Sequence, residues 1–191
     1  VEAADRLCNI LPPQNVGNGV AQISTTIAAP GVIGQTGAIN RFIFAERDSR
    51  PSARIDTLRD AFNTAGTSAP PTDDIVRDLW MKFILFSAVS GVTAAARTTM
   101  GEVMENAALS GLYRAIMAET TRLGRASGVA LPETAEDDLW KAAQAWPSAL
   151  RASTAIDLDQ GRALEIEWVS GAVVRLSRKL GLEAPCNEAV Y

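Results

Sequence analysis

The chain has 191 residues, 47% of them hydrophobic and 21% charged, with a net charge of −4. That balance excludes intrinsic disorder, and mild acidity with scattered arginines argues against a nucleic-acid-binding surface. There is no histidine, which removes Ser-His-Asp and Cys-His chemistry and histidine metal sites from these residues. The two cysteines, Cys8 and Cys186, stand at opposite ends. They make neither a disulfide framework nor a zinc site, so no metal and a reducing, cytoplasmic setting are expected.

Val1 to Asp5 already reads as the start of a helix, so the numbering is expected to begin inside a larger protein. The pattern predicts a helix over Glu2–Leu11, closed by Pro12-Pro13, then a strand over Val20–Ile27 rich in β-branched residues. Val32–Thr36 and Ile39–Ala45 flank Gly37-Ala38 and predict an antiparallel hairpin. Ile55, Leu58, Phe62 and Ala65 fall at helical spacing within Ser52–Ala65, with Gly66 beyond the end. Ala69-Pro70-Pro71 marks a boundary.

Beyond that boundary helices are predicted throughout. Thr72 is positioned to cap the first, Asp74–Ala95, whose opening turn holds acidic residues as the helix dipole favours. Others are predicted over Glu102–Ser127, Thr134–Ala145 and Arg162–Leu180, with Gly128 and Gly181 as terminators. The apolar run Phe83–Ala96 is too short to cross a bilayer and reads as a buried helix, so no membrane partner is expected. The expected fold is mainly α, with an α/β segment over residues 1–71 and a helical domain over 72–191. Three strands lacking a βαβ unit make a poor domain alone and read better as the tail of a larger nucleotide-binding sheet.

Few residues are candidates for chemistry. Gly17-Asn18-Gly19 starts like a phosphate-binding turn, but Gln22 occupies the third glycine position and a proline-containing loop precedes it, so it is rejected. Lys82 is one of three lysines and lies within Leu79-Trp80-Met81-Lys82-Phe83-Ile84. Such an ammonium either snorkels to water or serves as a proton donor with a pKa depressed by burial. Phe86 and Ser90 share its helical face at i+4 and i+8. On a helix from Arg162, Glu165 is in register with Val169, Ala172, Val173 and Leu176. It is then either a functional carboxylate facing inward or a first-turn glutamate favoured by the dipole. Glu167 lies off that stripe and is expected in solvent. Ser153 alone is an ordinary loop or cap serine.

Taken in order, several segments resemble ketopantoate reductases. They are Ala29-Pro30-Gly31-Val32-Ile33, Asp78 to Phe83, Gly101-Glu102-Val103, Ser153 to Asp157, Gly161 to Glu167, Ser170 to Leu176 and Pro185-Cys186-Asn187. The resemblance runs the whole length. It implies a Rossmann domain whose α/β tail is residues 1–71, with its glycine-rich turn upstream. It also implies a helical, 6-phosphogluconate-dehydrogenase-like C-terminal domain. The activity implied is NADPH-dependent reduction of a small-molecule 2-oxo acid, with a homodimer as the expected assembly. Lys82 would donate the proton to the 2-oxo oxygen, Glu165 would lie beside the nicotinamide, and Ser153 and Ser90 would contact substrate. Lys82 and Glu165 are then expected to face one another across a cleft between helices. Phe86, Ser90 and Met100 stand where family members that reduce ketopantoate usually place asparagines. That substitution points to a less polar substrate than ketopantoate. The competing expectation is a non-catalytic helical packing or dimerisation module.

Overall fold

The computed structural model describes all 191 residues. They divide into two compact units, Val1–Leu79 and Trp80–Tyr191, with the division falling inside a helix. Nine α-helices and one two-stranded sheet make up the regular structure. No helix is long and apolar enough to cross a membrane.

The first unit opens with α1 (Ala3–Cys8), shorter than the predicted Glu2–Leu11. Strands β1 (Gly17–Ala29) and β2 (Val32–Glu46) then pair antiparallel through a turn at Pro30-Gly31, where Gly31 has φ +77°. The prediction of two short strands around a Gly37-Ala38 turn is corrected, because β2 runs continuously through those residues. Ile23 pairs with Asn40 but Ser24 pairs with Thr36, so Gly37, Ala38 and Ile39 bulge out of the ladder. Gly37 supplies the positive φ that such a bulge needs, and the Gln35 side-chain amide donates to the carbonyl of Gly37 at 3.3 Å. A bulge and a tight turn use the same glycine chemistry, which is why the sequence pattern confuses them.

Helix α2 (Ala53–Thr64) begins where predicted, with the Ser52 hydroxyl accepting from the Ile55 amide at 3.3 Å, and ends before Gly66 at φ +79°. It packs against β2, where Phe62 meets Phe42 and Phe44 edge-on at centroid distances of 5.4 and 5.2 Å. Glu46 fixes the two elements to each other, accepting from Ser52 Oγ and Arg54 Nε, both at 2.6 Å. Val20, Ile43, Ala45 and Ile75 form this unit's buried core.

Helix α3 (Ile75–Ala95) is capped by Asp74 rather than Thr72: Asp74 Oδ1 accepts from the Arg77 amide at 2.9 Å. Thr72 supports that cap, accepting from the Asp74 amide and donating to Asp78. The predicted helix Glu102–Ser127 is two helices, α4 (Met100–Glu105) and α5 (Ala107–Ala126). Asn106 separates them by accepting from the amides of Ala108 and Leu109, an N-cap inside a run of good helix formers. Helix α6 (Ala135–Gln144) matches its prediction closely.

The predicted helix Arg162–Leu180 is also corrected. A helix absent from the prediction, α7 (Ser153–Asp159), comes first, and Gly161 at φ +63° ends it. Residues 162–165 are irregular, Ile166–Trp168 form one 3-10 turn, and α8 (Ser170–Lys179) starts only afterwards. The final helix, α9 (Pro185–Val190), was not predicted either.

In the second unit α5 is the hub, packing against α4, α6, α8 and α9. Ile84, Ala88, Val89 and Val92 of α3 join Tyr113, Ile116 and Met117 of α5 in one core, closed by Met100, Val103, Leu139 and Val190. Burying a large side chain of this kind contributes about 1.5–3 kcal/mol. One pair of buried hydroxyls bridges the same seam, with Ser87 Oγ and Thr120 Oγ1 3.1 Å apart.

Candidate functional site

Helix α3 is buried nearly all round between Trp80 and Ala94, and Phe86 is the one exposed side chain in that stretch. Lys82, one turn earlier, is half-buried beside it, with its Nζ 4.9 Å from the centroid of the Phe86 ring. Burial disfavours the ammonium and pulls the Lys82 pKa below the ordinary lysine value. The ring's negative face attracts the remaining charge. An amine with a lowered pKa on the single open face of an apolar helix is equipped to release a proton to a bound acceptor. Ser90, one further turn along, is buried at 6% exposure.

Ser153 opens α7 and is exposed. Its neighbourhood is tied to the far end of α3: the Ala152 amide donates to Thr93 Oγ1 at 3.3 Å, and Asp159 accepts from both Arg97 and Arg151. Ser90 and Thr93 are one turn apart on α3, so this tie brings Ser153 to the same end of the helix.

Glu165 is not where helical register would put it. It lies in the irregular segment after α7, exposed, immediately before the 3-10 turn, and its carbonyl accepts from the Trp168 amide at 2.9 Å. The inward-facing stripe position is therefore withdrawn, and a cleft framed by Glu165 would have a loop on that side rather than a helix. Glu167 does lie partly in solvent, as expected, with its side chain 45% exposed, yet it is not without partners. Its carboxylate accepts from Arg175 and from the Tyr191 hydroxyl, and its carbonyl accepts from Arg175 Nη1 at 3.0 Å. The Tyr191 phenol, bonded to that carboxylate, has its pKa raised.

Met100, at one of the usual asparagine positions, is 1% exposed in the core beneath α4. It packs the scaffold, so an apolar pocket argued from the sequence retains Phe86 and loses Met100. Gly101 and Glu102 are structural as well. A Cβ on Gly101 would lie 2.8 Å from Ser148 Cβ, and Glu102 completes a capping box with Thr99.

Another anchoring residue escaped the sequence. Glu119, on α5 and 7% exposed, accepts from the amides of Cys186 and Asn187 at 2.8 and 2.9 Å and from the Asn187 side chain at 2.8 Å. A buried carboxylate thus satisfies the first turn of α9 from a different helix. Burial and that carboxylate push the Cys186 thiol pKa up. Pro185 at the first helical position was the local signal that a helix starts there.

Comparison with known proteins agrees with this architecture. Residues 74–191 match the family model for the C-terminal domain of ketopantoate reductase PanE/ApbA. An uncharacterised oxidoreductase of Bacillus subtilis is 24% identical over 178 residues, 93% of this chain and 59% of that protein. A 2-dehydropantoate 2-reductase of Mesorhizobium japonicum is 27% identical over 178 residues, 93% of this chain and 54% of that protein. The chain thus spans somewhat over half the length of these relatives. Among solved structures, a PanE/ApbA family ketopantoate reductase from Ralstonia eutropha superposes with TM-score 0.88 at 28% identity, covering 99% of this chain and 61% of that one. A 2-dehydropantoate 2-reductase from Geobacter metallireducens gives TM-score 0.90 at 25% identity, over 100% and 63%. With the family model matching most of its length and its whole fold shared with solved reductases, the chain belongs to the ketopantoate reductase family.

Proposed function

We propose that this chain is the substrate-side part of a nicotinamide-dependent reductase that converts a 2-oxo acid into a 2-hydroxy acid. The observation that carries the reading is Lys82, a half-buried amine with a lowered pKa on the one open face of α3. In the reaction the Lys82 ammonium donates its proton to the 2-oxo oxygen as charge develops there, and solvent reprotonates the amine along the Phe86 edge. The bound nicotinamide, NADPH by family resemblance, supplies the hydride to the carbonyl carbon. The Ser153 hydroxyl, exposed at the start of α7, is available to hydrogen-bond the substrate. Ser90, assigned to substrate by the resemblance, lies one turn deeper and supports that end of α3.

The residues present fit one end of such a cofactor. Glu165 is an exposed carboxylate able to accept from an amide or a ribose hydroxyl. The Gly17-Asn18-Gly19 segment offers no pyrophosphate turn, because Gly17 and Gly19 are committed to antiparallel pairs with Glu46 and Phe44. A dinucleotide-binding domain, of which residues 1–71 would be the tail, therefore completes the proposal.

Ketopantoate, or an analogue with a less polar tail, is the proposed substrate. Phe86 beside Lys82 favours the analogue, since an apolar wall gains nothing from a substrate hydroxyl. The test is a panel of 2-oxo acids with full-length protein, followed by nicotinamide absorbance. Acids lacking the ketopantoate hydroxyl should be turned over at least as well as ketopantoate. Much faster turnover of ketopantoate would overturn the substrate preference alone. No turnover of any 2-oxo acid would favour the non-catalytic packing module instead.

A further inference from the structure

The segment that carries Glu165 has no regular structure of its own to hold it. Gly161 ends α7 with a positive φ, residues 162–165 are irregular, and only a single 3-10 turn separates them from α8. Before Glu165 the segment is fixed by Arg162, whose amide donates to the Asp157 carbonyl at 2.9 Å and whose Nε donates to the Asp157 carboxylate at 2.6 Å. After Glu165 it is fixed by Glu167, and there the partners come from α8 and from beyond α9. Arg175 bonds both the carboxylate and the carbonyl of Glu167, while its guanidinium lies 5.5 Å from the centre of the Trp168 ring. The Tyr191 hydroxyl donates to the other carboxylate oxygen.

The Tyr191 ring is seated where only glycine leaves room. A Cβ on Gly171 would fall 2.8 Å from its Cε2 and 3.1 Å from its Cζ. Gly171 thus makes space for the ring, the ring aims the hydroxyl at Glu167, and Glu167 holds the turn two residues from Glu165. Charge-assisted bonds of this kind are roughly twice as strong as neutral ones. An irregular segment has few other contacts to keep one conformation.

We infer that Glu167, Arg175 and Tyr191 are positioning residues that set the conformation from which Glu165 acts. This rests on the proposal that Glu165 belongs to the reacting site. None of the three needs to touch substrate; they act by fixing the backbone of residues 165–168. A misplacement of the order of 1 Å in such a group can cost about a hundredfold in rate, and a partial loosening correspondingly less.

The experiment is a mutant cycle in the full-length enzyme, measuring kcat, KM and thermal midpoint. Tyr191→Phe removes one hydroxyl and keeps the ring on Gly171, so the fold should survive. Glu167→Gln keeps the shape and removes the charge that both partners bind. Each should lower kcat by about three- to tenfold with little change in thermal midpoint. Neither should lower it further when Glu165 is already Gln, since a residue that acts through another has nothing left to act on. If Glu165→Gln is impaired but Tyr191→Phe and Glu167→Gln turn over normally, the inference is wrong. Full additivity with Glu165→Gln also overturns it, because the three would then act elsewhere. Normal turnover by Glu165→Gln itself is the separate result that removes Glu165 from the site, and the inference with it.

Discussion

At the scale of single residues the proposed chemistry depends on the environment of one amine. Burial strips solvation from the Lys82 ammonium and lowers its pKa. A proton donor works only while protonated, so kcat for reduction should be level near neutral pH and fall as pH rises through the Lys82 pKa. That limb should lie below the ordinary lysine value of about 10.4. A pH–rate profile of the full-length enzyme checks this, and a flat profile up to that value would assign the proton to another group. Lys82 stood out in the sequence as an ammonium in an apolar helix, although a lysine escaping sideways to water is the ordinary explanation for one standing alone. Glu165 and Glu167 were legible as a pair, but their roles were not. The carboxylate expected in solvent is the one that holds the turn, through partners 8 and 24 positions away in sequence. Local spacing carries no information about bonds of that length.

Among the elements, the helices were legible wherever a cap or a terminator was local. Ser52 and Gly66 bracket α2, and Gly128 follows α5, as their residue types require. The errors fall where tertiary structure overrides periodicity. Apolar spacing continues from Glu165 into α8, yet the backbone leaves the helix there. The ladder between β1 and β2 likewise continues past the Gly37-Ala38 pair that reads as a turn. The joint between β2 and α2 supports a prediction of its own. Hydrogen bonds from Arg54 and Ser52 hold the Glu46 carboxyl down to about 2. A carboxylate depressed on folding contributes stability above its unfolded pKa, and that contribution is lost as pH falls through the folded value. The thermal midpoint of the first unit should therefore drop between pH 4.5 and about 2. Glu46→Gln should be less stable than wild type at neutral pH and show a smaller acid-induced drop. An unchanged drop in the Glu46→Gln variant would mean that this carboxylate does not set the acid limit.

For the whole molecule, the family resemblance implied both the helical domain and an α/β segment before it. Structures of whole reductases share the fold over the length of this chain. The compact units divide at Leu79/Trp80, within α3, while the family match begins at residue 74, close to the proline pair expected as the boundary. Gly17 and Gly19 are engaged in the β1–β2 ladder, and Gly31 and Gly37 serve its turn and bulge. The isolated chain is accordingly expected not to bind NADPH tightly, since helix N-termini with glycine-rich turns normally hold the pyrophosphate. Titration calorimetry giving tight one-to-one binding would show that these residues carry a complete cofactor site.

The proposed reduction of a 2-oxo acid makes Lys82 the proton donor. Its most direct test is single-turnover oxidation of NADPH by the full-length protein with its best 2-oxo acid, comparing wild type with Lys82→Met. The variant should remain folded and bind substrate, while the chemical step slows by about a hundred- to ten-thousand-fold. A folded Lys82→Met enzyme with a chemical step near the wild-type rate would mean that Lys82 is not the proton donor.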